Sequence, residues 1–246
     1  MTSQTVLLTG ASGGLGQALA RGLAAKGFSL ALHYHQKKEK AFTDLIDELK
    51  KSNAKFHVYQ ADFRKESDIV ELVKSAQKDL GTIDVVINNA GVSHSAISWK
   101  QKLNDWKQVM DVNLTAPFLI AREVLPVMRK NNFGRIINIS SVVAHKPHAG
   151  TCAYAAAKAG LEGWTRAVAI ETSKSGITSN AIALGFFDKG MINELEPTLQ
   201  QEIIKTIPVE KLGNTEELLH CILYLCHTQS SYITGQTIHL NGGMYF

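Results

Sequence analysis

Cysteine is scarce in this chain, with three residues among 246. Cys152, Cys221 and Cys226 are odd in number and show no paired metal spacing. Neither a disulfide framework nor a structural metal is expected, and a reduced, cytoplasmic thiol state follows. No window approaches the roughly eighteen consecutive apolar residues of a membrane-spanning helix. The opening MTSQTVLLTG has no basic region followed by an apolar core and cleavage site, so a soluble protein that is not exported is expected. There is no internal repeat and no low-complexity tract. Charge of one sign is also lacking: 26 Lys and Arg against 22 Asp and Glu leave +4, spread along the chain, which hints at acidic partners without indicating nucleic acid. What is present is a hydrophobic content of 45%, enough to bury a full core in a single domain spanning residues 1–246.

The apolar segments are short and alternate with helical patterns. Thr5 to Thr9 (TVLLT) stops at Gly10, and ASGGLGQALARGLAAKG then reads as a helix ended by Gly27. Gly10, Gly14 and Gly16 form the pattern T-G-x-x-x-G-x-G where strand gives way to helix. A backbone without side chains there can approach a pyrophosphate held against the free N–H groups of the helix. An ordinary tight turn has the same appearance, so the loop alone does not decide. The second strand, Ser29 to Tyr34 (SLALHY), ends without the Asp or Glu that binds a ribose 2′-hydroxyl, and His35, Lys37 and Lys38 follow. This favours NADPH over NADH. HQKKEK also suits the solvated first turn of the next helix, and the two readings are compatible. Lys55 to Gln60 is a third strand, Glu66 to Asp79 a helix, and Ile83 to Asn88 a strand that ends in Asn88-Asn89-Ala90-Gly91. The alternation, which continues to Ile139, predicts an α/β fold with a doubly wound parallel sheet of Rossmann type.

Asn104 to Lys130 reads as one long helix with Pro117 inside it. The missing proline N–H frees the carbonyl of Asn113 and predicts a kink there. A water on that carbonyl would lead protons toward Lys158; a plain proline bend with a buried Asn is the alternative. Ile177 to Ala183 is a further strand, and Phe186 to Val209 (186–209) is expected to form a mobile helical lid over the substrate. Asn214 and Glu217 resemble a capping box for a helix through Cys226, and Gln236 to Leu240 is the last strand. Trp99, Trp106 and Trp164 read as core or interface anchors, and His94 as a rim residue of the substrate mouth. His145 and His148 lack a third ligand and read as polar loop residues, and Cys152 lacks a base partner and reads as packing.

The stretch from Ser141 to Lys158, SVVAHKPHAGTCAYAAAK, holds a hydroxyl, a phenol and an ammonium. Ser141 follows the apolar run RIINIS, and the alanine-rich segment after Thr151 is helical, so Tyr154 and Lys158 lie one turn apart on one face. A phenol titrates near ~10, so acid–base work near neutrality needs a shift of roughly 3 units, about 4 kcal/mol. An ammonium beside the phenolate has the right sign. With Ser141 on the oxygen of a bound carbonyl, the three groups could protonate a ketone as hydride arrives. Tyr and Lys at this spacing are common on helices, so the reading depends on the cofactor site that precedes them.

In order and spacing, TGASGGLG at 9–16, Asp62, NNAG at 88–91, Asn113, Ser141, the YxxxK of Tyr154 and Lys158, and the NGG tail resemble the short-chain dehydrogenase/reductase family over essentially the whole chain. Within it, SSVVAHKPHAGTCAYAAAKAGLEGWTRAVA and SYITGQTIHLNGG look most like bacterial 3-oxoacyl-(acyl-carrier-protein) reductases. The resemblance implies a seven-stranded sheet of order 3-2-1-4-5-6-7 and a homotetramer built on the long helices and last strand. It implies a catalytic tetrad: Tyr154 as general acid, Ser141 as carbonyl positioner, Lys158 as pKa-lowering charge and ribose ligand, and Asn113 as anchor of the water relay. Gly10, Ser12, Gly13, Gly14, Leu15 and Gly16 would hold the pyrophosphate, with His35 at the NADPH phosphate. Asp62 and Phe63 would take the adenine, Asn89, Ala90 and Gly91 the adenosine ribose side, Tyr154 and Lys158 the nicotinamide ribose, and Gly185 and Phe187 the nicotinamide. No metal is implied.

The implied reaction is NADPH-dependent reduction of a 3-oxoacyl-acyl-carrier-protein to the (3R)-hydroxyacyl product in fatty acid biosynthesis. Reduction of acetoacetyl-CoA, a sugar or a quinone, or nucleotide binding without turnover, are the alternatives. The chain departs from the family pattern at Leu184-Gly185, where Pro-Gly is usual, at Lys189 in place of a Thr, and at Gly13 in place of a basic residue. Asn132 and Ser175 stand where related reductases carry arginines that dock acyl carrier protein, and Arg129, Lys130 and Lys174 are near in sequence as substitutes.

Overall fold

A computed structural model of the protein describes residues 4–36, 40–190, 192 and 196–246. The strands are β1 (Thr5–Leu8), β2 (Ser29–Tyr34), β3 (Phe56–Gln60), β4 (Val85–Asn88), β5 (Gly134–Ser141), β6 (Ile177–Leu184) and β7 (Thr237–Leu240). The helices are α1 (Gly14–Ala25), α2 (Lys40–Lys51), α3 (Glu66–Leu80), α4 (Leu103–Met110), α5 (Ala116–Lys130), α6 (Cys152–Thr172), α7 (Pro197–Lys205) and α8 (Thr215–Cys226). All strands pair in parallel, in the order β3-β2-β1-β4-β5-β6-β7. This is the Rossmann-type arrangement and order expected.

Strands such as TVLL and VVIN are buried along their whole length because helices cover both faces of the sheet, which is why they read as largely apolar runs without alternation. One core packs α1, α2 and α8 on the sheet through Leu19, Leu23, Phe42, Leu45, Leu218 and Ile222. The other face carries α3 and α5 through Ile69, Val73, Ile120 and Val124. The order reverses at β1 and β4, and the crevice outside their carboxyl ends is where doubly wound sheets bind ligands.

A buried polar ladder seats α6 on the sheet. Asn88 of β4 donates to Asn138 of β5 (2.7 Å), Asn138 donates to Thr165 of α6 (2.8 Å), and Thr165 donates to the Leu161 carbonyl (2.7 Å). Each group is buried and would be costly unpaired, so the ladder fixes the depth and rotation of α6 on β5.

The expected long helix is instead three pieces. Between α4 and α5 lies one π turn, Asp111–Thr115, in which the Ala116 N–H donates to the Asp111 carbonyl five residues back. Pro117 follows directly, in the first turn of α5, so the predicted kink takes the form of a π-bulge, a distortion frequent at functional sites. Pro126, passed over in the sequence, is the proline inside α5. The segment 186–209 is not a helical lid throughout. Phe186 to Asp188 runs extended against Gly213, and among the described residues of the segment only Pro197–Lys205 is α-helical. Trp99 is 81% exposed, so it is not a core anchor.

The ends of β1, β2 and β3 meet at His33. Its Nδ1 accepts from the Gly10 N–H (3.1 Å), its Nε2 lies 3.1 Å from the Ala61 carbonyl, and its ring stacks on Phe63 with centroids 3.9 Å apart. These partners require the neutral tautomer protonated at Nε2. Burial, aided by the nearby His35, lowers the His33 pKa from 6.5 to about 4, against the opposing pull of the Ala61 carbonyl. The unfolded chain therefore binds a proton that the folded chain refuses between these values. Stability held above pH 6.5 should be lost as the pH falls toward 4, by about 3 kcal/mol. Urea unfolding across this pH range should show the loss in the wild type and a shallower slope in His33→Gln.

Candidate active site

The glycine loop is held open by its neighbours. Gly10 has φ +66°, and a Cβ there would stand 2.9 Å from the Ala90 Cα, so a side chain is excluded on both counts. Thr9 Oγ1 accepts from the N–H groups of Asn89 and Ala90 (both 2.9 Å), and Asn89 Nδ2 donates to the carbonyls of Thr9 (2.9 Å) and Gly10 (3.2 Å). The Asn89 side chain is thus occupied in joining the two loops rather than turned to a ribose. Ser12 accepts from Gln17 Nε2 through its carbonyl (2.8 Å), and Gly13 begins α1 without a side-chain cap or any acidic residue in the first turn. The Gly13 N–H donates to the Gly10 carbonyl (3.2 Å), and Gly14, Leu15 and Gly16 follow as the first turn of α1, a helix terminus with no side-chain cap.

Beyond the carboxyl ends of β2 and β3, His35, Gln36, Gln60, Ala61, Asp62, Arg64, Lys65 and Asp68 line a cleft of about 580 Å³. Asp62 is gripped by Arg64, whose Nη2 and Nε donate at 2.6 and 2.8 Å, and His35 Nε2 lies 3.6 Å from it. The Arg64 guanidinium holds the Asp62 carboxyl well below its usual range, so it is ionised and partnered. The Phe63 ring is buried beneath His33 and is not exposed to an adenine. Lys37 and Lys38 lie outside the described residues. At the far end, the Gly185 N–H donates to Leu240 (3.0 Å), and the Phe187 ring is buried in the core, covering Gly213.

Between these ends, Asn113, Ser141, Tyr154 and Lys158 converge. The π turn carries Asn113, whose Nδ2 donates to the carbonyls of Val92 and Val109 (both 2.8 Å). Its Oδ1 is buried without a partner and faces Gly91, where a Cβ would stand 2.9 Å from it and 3.8 Å from Lys158 Nζ. Any side chain at Gly91 would block the space between that acceptor and that ammonium. Lys158 is 3% exposed and donates to the Ile139 carbonyl at 2.6 Å, with Nζ 5.5 Å from the Tyr154 ring centroid. Burial lowers the Lys158 pKa to about 8, opposed by the charge of Glu162. Ser141 Oγ accepts from the Val143 N–H (3.2 Å) and lies beside the Tyr154 phenol, favouring its ionised form.

The expected depression of the phenol by Lys158 is not what the protein alone displays. Burial pushes the Tyr154 pKa up to about 12, and the opposing influence is Ser141. The ammonium is directed at Ile139 rather than at the phenolic oxygen, so desolvation prevails and Tyr154 is held protonated. The arrangement suits a proton donor: a neutral phenol, a hydroxyl beside it and a cation behind it.

Four contributors were not singled out in the sequence. His33 looked like one more strand residue, and Asn138 and Ser140 like interruptions in an apolar run. Glu162 falls one turn after Lys158, and a carboxylate at that spacing is ordinary on an exposed helix, so nothing marked it as buried. Among the described residues no group of three or more His, Cys, Asp and Glu is placed to hold a metal ion.

The residues present fit a nicotinamide dinucleotide: a glycine-rich turn at a helix terminus without a side-chain cap, an orphaned Asn113 acceptor, and a polar cleft beyond β2 and β3. Comparison with known proteins agrees. The family model described as enoyl-(acyl carrier protein) reductase matches residues 10–245. The chain is 35% identical to the 3-oxoacyl-[acyl-carrier-protein] reductase FabG of Staphylococcus epidermidis over 99% of both chains. It is 35% identical to FabG of Staphylococcus aureus, covering 99% of this chain and 98% of the relative. Nodulation protein G of Rhizobium meliloti is also 35% identical at the same coverage. With its sheet order, its glycine loop and its serine, tyrosine and lysine at one strand end, the chain belongs to the short-chain dehydrogenase/reductase family and is an oxidoreductase.

Proposed function

We propose that the protein reduces the keto group of a 3-oxoacyl thioester carried on acyl carrier protein, with NADPH, in fatty acid biosynthesis. The observation that carries this reading is the convergence of Ser141, a protonated Tyr154 and a buried Lys158 beside the crevice at β1 and β4. The relatives with full-length similarity include reductases named for this substrate.

The dinucleotide supplies the hydride when bound. Gly10, Ser12, Gly13, Gly14, Leu15 and Gly16 hold its pyrophosphate, and Ala90 and Gly91 leave room for its ribose side. Lys158 binds the second ribose and stabilises negative charge on the phenol. Ser141 donates to the substrate oxygen and Tyr154 delivers the proton. Asn113, through its free acceptor, orders a water that restores that proton by way of Lys158. His35, with Lys37 and Lys38 next to it in sequence, favours the 2′-phosphate. Gly185 and the backbone of Phe187 would border the nicotinamide, and α7 (Pro197–Lys205) would cover the substrate.

Arg129 and Lys130 end α5 and Lys174 follows α6, all three exposed, and they form a cationic docking site for an acidic carrier. Exposed Leu103, Phe118 and Ile170 on α4 to α6, and Tyr224, Tyr232 and Phe246 near α8 and β7, suit the two faces of a homotetramer. We place the protein in the cytoplasm; among the described residues no helix is long and apolar enough to cross a membrane.

Steady-state kinetics with 3-oxoacyl thioesters tests the reading. Tyr154→Phe should lower kcat about a thousandfold and Ser141→Ala about a hundredfold. Near-native rates in Tyr154→Phe would refute the assignment. Fluorescence titration should find NADPH bound about tenfold more tightly than NADH, with the difference shrinking as salt rises. Arg129→Glu combined with Lys130→Glu should raise KM about tenfold for carrier-linked substrate and leave CoA-linked substrate unaffected.

A further inference from the structure

Glu162 presents a carboxylate only 3% exposed, next to the reaction centre. Burying an ionised carboxylate is costly unless several donors meet it. Here they come from three parts of the fold. Ser140, at the end of β5, donates to Oε1 at 2.5 Å. His145 Nε2, in the loop after β5, lies 2.8 Å from Oε2, close enough for an ion pair although not aligned as a directed hydrogen bond. Thr237 of β7 donates to Oε2 at 3.4 Å.

These partners bracket the site. Ser140 immediately precedes Ser141 and His145 follows it by four residues, so the carboxylate grips the chain on both sides of the hydroxyl that touches Tyr154. On α6 itself, Glu162 lies one turn beyond Lys158, and its charge favours the ammonium against desolvation. The other titratable groups around it are aromatic. His145 stacks on Tyr245 of the C-terminal tail (4.7 Å), and His239 of β7 packs edge-on to His145 (4.8 Å). Burial and His145 lower the His239 pKa, opposed by Glu162.

We propose that Glu162 is a positioning residue of the reaction centre: its buried carboxylate fixes the two flanks of Ser141 and stands as a counter-charge one helical turn from the buried Lys158 ammonium. Ser140 and His145 hold the carboxylate in place. Glu162 touches neither substrate nor cofactor and acts through Ser141 and Lys158. The catalytic half of this inference rests on the function proposed above; the charge half does not.

Selectively [ε-13C]lysine-labelled protein separates the two. The Lys158 resonance, assigned by its loss in Lys158→Met, should titrate near pH 8 in the wild type and about one pH unit lower in Glu162→Gln, with no substrate or cofactor present. In turnover with a 3-oxoacyl thioester, the alkaline limb of the kcat profile should move down by the same interval. Ser140→Ala keeps the charge and loosens the Ser141 flank, so it should lower kcat severalfold and leave the Lys158 titration in place. It also serves as the informative variant if Glu162→Gln does not fold. An unchanged Lys158 titration in a folded Glu162→Gln overturns the counter-charge role, and unchanged kcat in Ser140→Ala overturns the anchoring role. A shifted titration without turnover of any 3-oxoacyl thioester would uphold the charge role and refute the substrate reading alone.

Discussion

The architecture of the site depends on one buried ammonium. Lys158 reaches from α6 to the carbonyl of Ile139 in β5, and this bond of 2.6 Å sets the helix face against the strand end. A cation at 3% exposure faces a desolvation penalty of several kcal/mol, which appears in its pKa of about 8. The Ile139 carbonyl and the nearby Glu162 offset that penalty, and the Asn88, Asn138 and Thr165 ladder keeps α6 from shifting away from it. With the helix fixed, Tyr154 one turn earlier is also fixed, against Ser141.

The opposite wall of the crevice is organised around backbone rather than charge. Thr9 and Asn89 join the glycine loop to the end of β4, while His33 ties Gly10 to Ala61 and covers Phe63. The two walls meet at Gly91, flanked by the Asn113 acceptor and the Lys158 ammonium. A single missing Cβ therefore keeps open the space on which both walls converge.

The fold was legible because a parallel sheet covered on both faces writes its central strands, β1 and β4 among them, as largely apolar runs, and β2 and the Asn214 capping box match their sequence limits. The π turn was only half legible: Pro117 signals a disruption near Asn113, yet the form it takes depends on how α4 and α5 pack against α6. Tyr154, Lys158 and Ser141 could be named from spacing, but not the direction of the phenol's shift, which is set by burial and by where the ammonium points. Asp62 and Phe63 were expected to meet an adenine, whereas their engagement by Arg64 and His33 rests on side-chain directions that spacing does not encode. Glu162 was missed for the same reason, since helical periodicity identifies a face without saying that β7 and the loop after β5 close over it.

In this account the phenol is high in pKa at rest and becomes a proton donor only when negative charge develops on a substrate oxygen beside it. Proton delivery by Tyr154 and hydride arrival at the carbonyl then belong to one event. Single-turnover oxidation of 4-deuterated NADPH by a 3-oxoacyl thioester, followed at the nicotinamide absorbance in H2O and in D2O, measures this directly. The account predicts that both isotopic substitutions slow the same observed step; no turnover, or a rate indifferent to both, would contradict it.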